Sequence, residues 1–209
     1  MAHDQIAPTK SNLLKTKDKL HSALEGHDLL EQKREILVME LMHKIEEVKI
    51  LERQLNRQVD TAYPSLKRML INVGRERAEK LSRNIHYDFH LNEKKTTIMG
   101  LGLLGLDIDF PKLELKYSPV NSFAECDETV IEFFKLLKII TELASVRTIA
   151  WRLARELRKT QRRVNALDKM VIPAARENIV YIDSVLEERE RDAFFVNKLL
   201  KKKGIGGIK

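Results

Sequence analysis

The sequence predicts a mainly α-helical protein: a long antiparallel two-helix coiled-coil hairpin with a small head, containing a β-hairpin, in the middle of the chain. Three observations predict it. Apolar residues recur at alternating steps of four and three from Leu55 to Val73 and again from Val146 to Val185 in a chain of 209 residues, which is the 3.5-residue period of a supercoiled seam. Between those stretches the period falls to two, that of a half-buried strand. The composition agrees: 33% charged residues, 6% aromatics, 8 Gly and 5 Pro suit long helices better than a thick globular core. An isolated long helix cannot hide its own stripe, so two matching stripes are most simply buried against each other by a chain that folds back.

The first helix is expected over residues 1–74, starting near Thr9 or Ser11, either of which can cap it, with Pro8 just before. Its seam reads Leu30, Leu37, Leu41, Ile45, Val48, Leu51, Leu55, Val59, Ala62, Leu66, Met69 and Val73. Leu13, Leu20, Leu24 and His27 extend it less cleanly toward the N-terminus. Pro64 removes one backbone hydrogen bond and predicts a bend. Some 70 helical residues would span about 100 Å.

The second helix is expected over 126–209, from near Asp127, with a basic tail. Its seam reads Val146, Ala150, Leu153, Leu157, Thr160, Val164, Leu167, Val171, Ala174, Asn178, Tyr181 and Val185. The regular repeat implies a left-handed supercoil with a partner helix. Pro173 predicts a second bend.

Residues 75–125 are expected to form the head, with two to four short strands. Ile85, Tyr87, Phe89 and Leu91 alternate with polar residues, Asn92 to Lys95 reads as a turn, and Thr96 to Met99 could pair back as a hairpin. Leu106, Ile108 and Phe110, then Leu113, Leu115 and Tyr117, alternate in the same way.

Little in the chain is shaped for chemistry, so no catalytic, cofactor-binding or metal-binding residues are assigned. Gly100-Leu101-Gly102-Leu103-Leu104-Gly105 formally matches G-x-G-x-x-G, but the extended Asp107-Ile108-Asp109-Phe110-Pro111 follows where a dinucleotide fold needs a helix. A flexible Leu-rich loop is the plainer reading. No Gly precedes a Lys, so there is no P-loop of the usual kind, and H-E-x-x-H, G-x-S-x-G and C-x-x-C are missing. His86, Asp88 and His90 would share a strand face, which a polar outer face explains without a metal. Asp107 and Asp109 lack a third catalytic group. The single cysteine, Cys126, cannot form an internal disulfide, which points to a reducing compartment. Met1 to Gln5 lacks a signal-type apolar core, and no window reaches 18 uncharged apolar residues, so direct membrane insertion is not expected.

The net charge of +7 allows nucleic acid, an anionic membrane surface or an acidic protein as partner. Arg152, Arg155, Arg158 and Arg162 recur at steps of three, three and four, with Lys159 and Arg163 beside them. They form either a solvated face or a docking strip for acidic partner loops. Nucleic acid is not expected, because no aromatic platform is interleaved and Glu156 interrupts the region. Lys198 and Lys201 to Lys203 form a terminal cluster that suits a helix C-terminus.

Two blocks then carry a resemblance. Pro8-Thr9-Lys10, Leu13-Leu14, Gly26-His27-Asp28-Leu29-Leu30 and Lys33-Arg34 are similar to the N-terminal signature of the D subunit of the vacuolar/archaeal-type (V-type/A-type) rotary ATPases and ATP synthases. Arg162-Arg163-Val164-Asn165-Ala166-Leu167, Ile172-Pro173, Leu186-Glu187-Glu188, Glu190-Arg191 and Phe194-Phe195 resemble its C-terminal signature. Arg176, Asn178 and Gln32 depart from that pattern, where an acid, a threonine and a lysine are more usual. The resemblance implies a non-catalytic central-stalk rotor component that couples ATP synthesis or hydrolysis to proton or sodium transport. It implies a cytoplasmic position, peripheral to the membrane. The partners it implies are the catalytic and regulatory subunits of the ATPase hexamer, the small central-stalk F subunit, and the socket subunit on the membrane rotor ring. On that reading Arg152, Arg155, Arg158, Arg162 and Arg163 are candidate partner contacts. The alternative is a coiled-coil scaffold unrelated to rotary ATPases.

Overall fold

The computed structural model describes residues 7–84, 87–111 and 124–205. Helix α1 (Lys10–Val73) and the short helix α2 (Arg75–Asn84) are followed by strands β1 (His90–Ile98) and β2 (Leu101–Asp109). Helix α3 (Ala124–Ala166), a π-helical turn (Leu167–Val171) and helix α4 (Ile172–Ile205) complete the chain. Two compact units are formed, one from Ile36–Leu157 and one from Met1–Glu35 with Arg158–Lys209. In each, the two long helical partners run antiparallel.

Thr9 is the helix cap: its Oγ1 accepts the backbone N–H of Asn12 at 3.2 Å, satisfying one of the orphan donors of the first turn. Pro64 is carried inside α1, where it has no N–H to offer the Asp60 carbonyl. Gly74, at φ 83°, ends α1 in the left-handed conformation that glycine adopts without a Cβ penalty. The next residues wind into α2, not the strands and loops expected there. Its polar surface carries an Arg83–Glu79 pair at 2.9 Å.

In the Ile36–Leu157 unit, α1 and α3 are zipped by contacts that climb one helix as they descend the other. Arg147 pairs with Glu52 at 3.5 Å, Gln58 donates to the Glu132 carboxylate, and Arg68 meets Glu128 at 3.2 Å. Asn72 donates to Glu125 at 2.9 Å. Within the seam the buried Ser65 hydroxyl donates to Thr129 Oγ1 at 3.1 Å, while Thr129 donates its own proton to the Glu125 carbonyl at 2.7 Å.

The two strands form one antiparallel hairpin, with His90 opposite Asp109 and Ile98 opposite Leu101. Its position corrects the sequence reading twice. Asn92 to Lys95 lie inside β1, and the turn is Met99–Gly100, both at positive φ (48° and 76°). That twist matches the flanking strands, as hairpin turns of the primed type do. The strand expected from Ile85 to Leu91 begins only at His90. Tyr87 and Phe89 precede it and pack their rings on Phe134 at 5.0 and 5.7 Å. Ile85, His86, and Leu113 to Tyr117 lie outside the described residues.

The hairpin lies on the helix pair. Leu103 of β2 is buried with Leu37 of α1 and Leu153 of α3, flanked by Leu41, Ile98, Leu101, Ile149 and Leu157. Lower down, the Leu106 N–H donates to Ser145 Oγ at 2.9 Å. A Cβ on Gly105 would sit 3.4 Å from the Lys94 carbonyl and 3.5 Å from Ser145 Oγ, so the strand approaches α3 closely there.

In the unit of the two chain ends, Thr16, Ala23, Thr160, Val164, Ile172 and Ile182 are buried. The register expected after Val164 is overturned. Val171 is 45% exposed and Tyr181 55%, whereas Ile172 is 7% and Ile182 0% exposed. The cause is the π turn: the Ile172 N–H reaches back five residues to the Leu167 carbonyl, and one extra residue enters the helix. Pro173 supplies a reason. It has no N–H, and its ring would collide with the carbonyl four residues back in a regular helix. The seam therefore continues through Ile172, Ala175, Ile179, Ile182 and Leu186, one place later than a strict heptad predicts.

Candidate partner-contact surface

The arginines of the predicted strip have different surroundings. In the Ile36–Leu157 unit, Arg152 is half-buried and its Nη1 donates to the Gly102 carbonyl of β2 at 3.4 Å. Its position therefore touches the hairpin. Arg155 is exposed and lies over the ring of Trp151, 5.8 Å from the centroid, a cation–π geometry. In the other unit Arg158, Arg162 and Arg163 are exposed. Buried Val164 and the Gln161–Asn165 bond at 2.9 Å hold the turn that presents the last two. Gln161 Oε1 also accepts from Arg34 at 3.4 Å, and Arg34 is clamped by Glu31 at 2.6 Å. Lys33-Arg34 and Arg162-Arg163-Val164-Asn165 thus sit at facing positions on antiparallel helices.

Close to the chain ends, Lys10 pairs with Glu190 at 2.7 Å, and Arg189 donates to the Pro8 carbonyl at 3.0 Å. The hydrogen bond, reinforced by charge attraction, raises the Lys10 pKa and lowers that of Glu190. Beyond this clamp Phe194, Phe195, Leu199 and Leu200 are all exposed.

The glycine-rich run forms a strand and its turn: Gly100 is in the turn, Gly102 and Gly105 are in β2. It presents no helix N-terminus to a pyrophosphate. Asp109 accepts from Asn92 at 2.6 Å, and Asp107 accepts the N–H of Ile108 at 2.9 Å; both are held by local bonds. Asp88 and His90 are exposed, and Cys126 is buried. Among the described residues no three His, Cys, Asp or Glu side chains are grouped to hold a metal ion. No described helix is long and apolar enough to cross a membrane.

One surface escaped the sequence reading. Phe133, Leu137, Ile140, Ala144, Arg147 and Trp151 step alternately by four and three along α3. This second heptad stripe borders the contact with α1, where Phe133 packs on Tyr63 with ring centroids 6.0 Å apart and Arg147 pairs with Glu52. Trp151 is 67% and Ile140 43% exposed, and a shallow groove runs between them past Leu143, Ala144, Arg147 and Thr148. The spacing is visible in the sequence, but Arg147 in its centre and the stronger neighbouring seam mask it.

Residues 12–202 match the family described as the D subunit of ATP synthase. The chain is 45% identical over 196 residues to the V-type ATP synthase D 2 subunit of Treponema pallidum, covering 94% of each protein. It is 35% identical over 198 residues to the V-type ATP synthase D subunit of Thermotoga neapolitana, covering 95% of this chain and 98% of that one. With the A-type ATP synthase D subunit of Pyrococcus horikoshii it shares 33% identity over 202 residues, 94% of each. The signature blocks at both ends, the paired long helices and these full-length similarities agree: the chain belongs to the family of V-type/A-type ATP synthase D subunits.

Proposed function

We propose that the chain is the non-catalytic central-stalk rotor of a V-type/A-type ATP synthase. It would transmit torque between the catalytic hexamer and the ion-translocating membrane ring, and so couple ATP synthesis or hydrolysis to proton or sodium movement. The observation that carries the reading is the pairing of long antiparallel helices in each of the two units. Torque demands torsional stiffness, and mutually packed helices joined by buried side chains and cross-helix hydrogen bonds resist twisting, because interiors at crystal-like density deform little.

The proposed partners are the catalytic and regulatory subunits of the hexamer, the small F subunit and the socket subunit on the ring, at a cytoplasmic site peripheral to the membrane. Arg155, Arg158, Arg162 and Arg163 are proposed contacts, with Arg152 contributing beside the hairpin. Exposed guanidinium groups suit a surface that must pass successive partners, since solvated ion pairs are weak enough to exchange.

Affinity capture from native membranes tests the reading, with a tag inserted at the Met99–Gly100 turn. Co-purification of catalytic and regulatory ATPase subunits with the small stalk partner is the expected result. Recovery of the chain alone, or as a homodimer, would replace the rotor by a coiled-coil scaffold.

A further inference from the structure

We infer that helix α4 has two registers, that the π turn stores the residue by which they differ, and that the clamp at the chain ends locks the helix in one of them. The inference goes beyond the rotor reading and does not rest on it, because it concerns the free chain.

Two seams run side by side on α4. The observed one passes through Ile172, Ala175, Ile179, Ile182 and Leu186, and the strict heptad through Val171, Ala174, Asn178, Tyr181 and Val185. At every step but one a largely apolar residue stands in both seams, so packing discriminates weakly between them. The exception is Asn178, whose amide is buried if the second seam is used. Absorbing the spare residue replaces the bond from the Ile172 N–H to the Leu167 carbonyl with ordinary α-helical bonding. Everything beyond then rotates by about 100° and advances by about 1.5 Å. Pro173 favours the π turn but does not compel it, since α1 carries Pro64 in an uninterrupted α-helix.

Charge tells the registers apart. In the observed register Lys10 pairs with Glu190 at 2.7 Å and Arg189 donates to the Pro8 carbonyl at 3.0 Å. In the second register each place is taken by the preceding residue, so Arg189 faces Lys10 and Glu188 faces the Pro8 carbonyl. Like charges meet at the first point. At the second, a carboxylate without a proton to donate meets a carbonyl. The clamp therefore reads, from the far end of α4, how many residues the π turn holds. A partner carboxylate that competes for Lys10 releases the lock. Helix α4 then buries Val171 and Tyr181 and turns Ile172 and Ile182 outward, a switch between two discrete packings of one element.

The test measures thiol labelling of the free, full-length chain in a Cys126→Ser background. One probe is Ile182→Cys, buried in the observed register, and the other is Tyr181→Cys, exposed in it. Lys10→Glu sets an acid against Glu190 in the observed register and beside Arg189 in the second. It also places that acid in the first turn of α1, where the helix dipole favours it. Labelling of Ile182→Cys is expected to speed up about tenfold. Adding Asn178→Leu removes the amide from the second seam. It should speed that labelling about tenfold again or more, and slow labelling of Tyr181→Cys as the second register becomes the major one. Fraying of the helix end predicts otherwise, since a leucine at half-buried position 178 does not loosen the observed seam. Melting temperature serves as the folding control, and Ile179→Cys replaces Ile182→Cys if that variant does not fold. Labelling unchanged by Lys10→Glu, no further gain from Asn178→Leu, or a Tyr181→Cys rate that does not fall would each overturn the inference. The rotor reading would stand or fall separately, on the affinity capture.

Discussion

Removing one residue from the π turn should be nearly harmless once Pro173 is also replaced, whereas a deletion a few residues later should be costly. Met170 lies in the π-helical turn and is exposed. Deleting it together with Pro173→Ala lets an ordinary α-helix run from Leu167 onward. Ile172 then follows Val164 by seven residues rather than eight, so Ile172, Ile179 and Ile182 keep their places in the seam. The double change should alter stability by no more than about 1 kcal/mol, while the deletion with Pro173 retained should cost about 3 kcal/mol from proline in a helix interior. Deleting exposed Glu177 rotates everything beyond it by about 100°. Ile182, fully buried, loses about 1.5–3 kcal/mol of transfer free energy, and half-buried Ile179 and Leu186 about half as much each, for a total of about 3–6 kcal/mol. Guanidinium titration followed by circular dichroism at 222 nm reads all three. A double variant as unstable as the Glu177 deletion would refute the account of the register.

Three other outcomes are expected. Leu153→Ala removes a fully buried side chain facing Leu37 and Leu103 and should cost about 2.7–5 kcal/mol, read as a lower denaturation midpoint. Met99→Gly relieves the positive φ of the hairpin turn and should stabilise the chain by about 1 kcal/mol, measurable as slower amide exchange in β1 and β2. The Glu132 carboxyl is held below the ordinary glutamate range, first by its hydrogen bond from Lys135 and then by that from Gln58. A carboxyl with a depressed folded pKa contributes stability that is present above the unfolded pKa and lost as pH falls through the folded one. Acid titration should therefore destabilise the wild type from about pH 5 downward more than Glu132→Gln.

The long helices are legible in the sequence because their stripes are unambiguous: Leu37, Ala62, Val73, Leu153, Thr160 and Val164 all fall on the expected seams and are all buried. The register of α4 is not, because apolar residues stand side by side at Val171-Ile172 and Tyr181-Ile182. Periodicity fits either choice, and only the π turn selects the later one. The N-terminal extension fails in a similar way: Leu24 is exposed while small Ala23 and hydroxyl-bearing Thr16 fill the seam. The hairpin turn is hidden because methionine rarely adopts positive φ, so the polar Asn92–Lys95 segment looks the better turn. The segments on either side of Met99–Gly100 are strand, held by the burial of Leu103 rather than by local preference. As for the arginine strip, spacing places its members on α3, but the contact of Arg152 with Gly102 depends on where the hairpin lands, which no local pattern encodes.

The central claim is that this chain turns. A bead coupled to Met99→Cys, in a Cys126→Ser background, on a complex immobilised through its hexamer would report it directly. The rotor account predicts continuous rotation in one direction on addition of ATP. A bead that stays fixed while the same complexes hydrolyse ATP would contradict it.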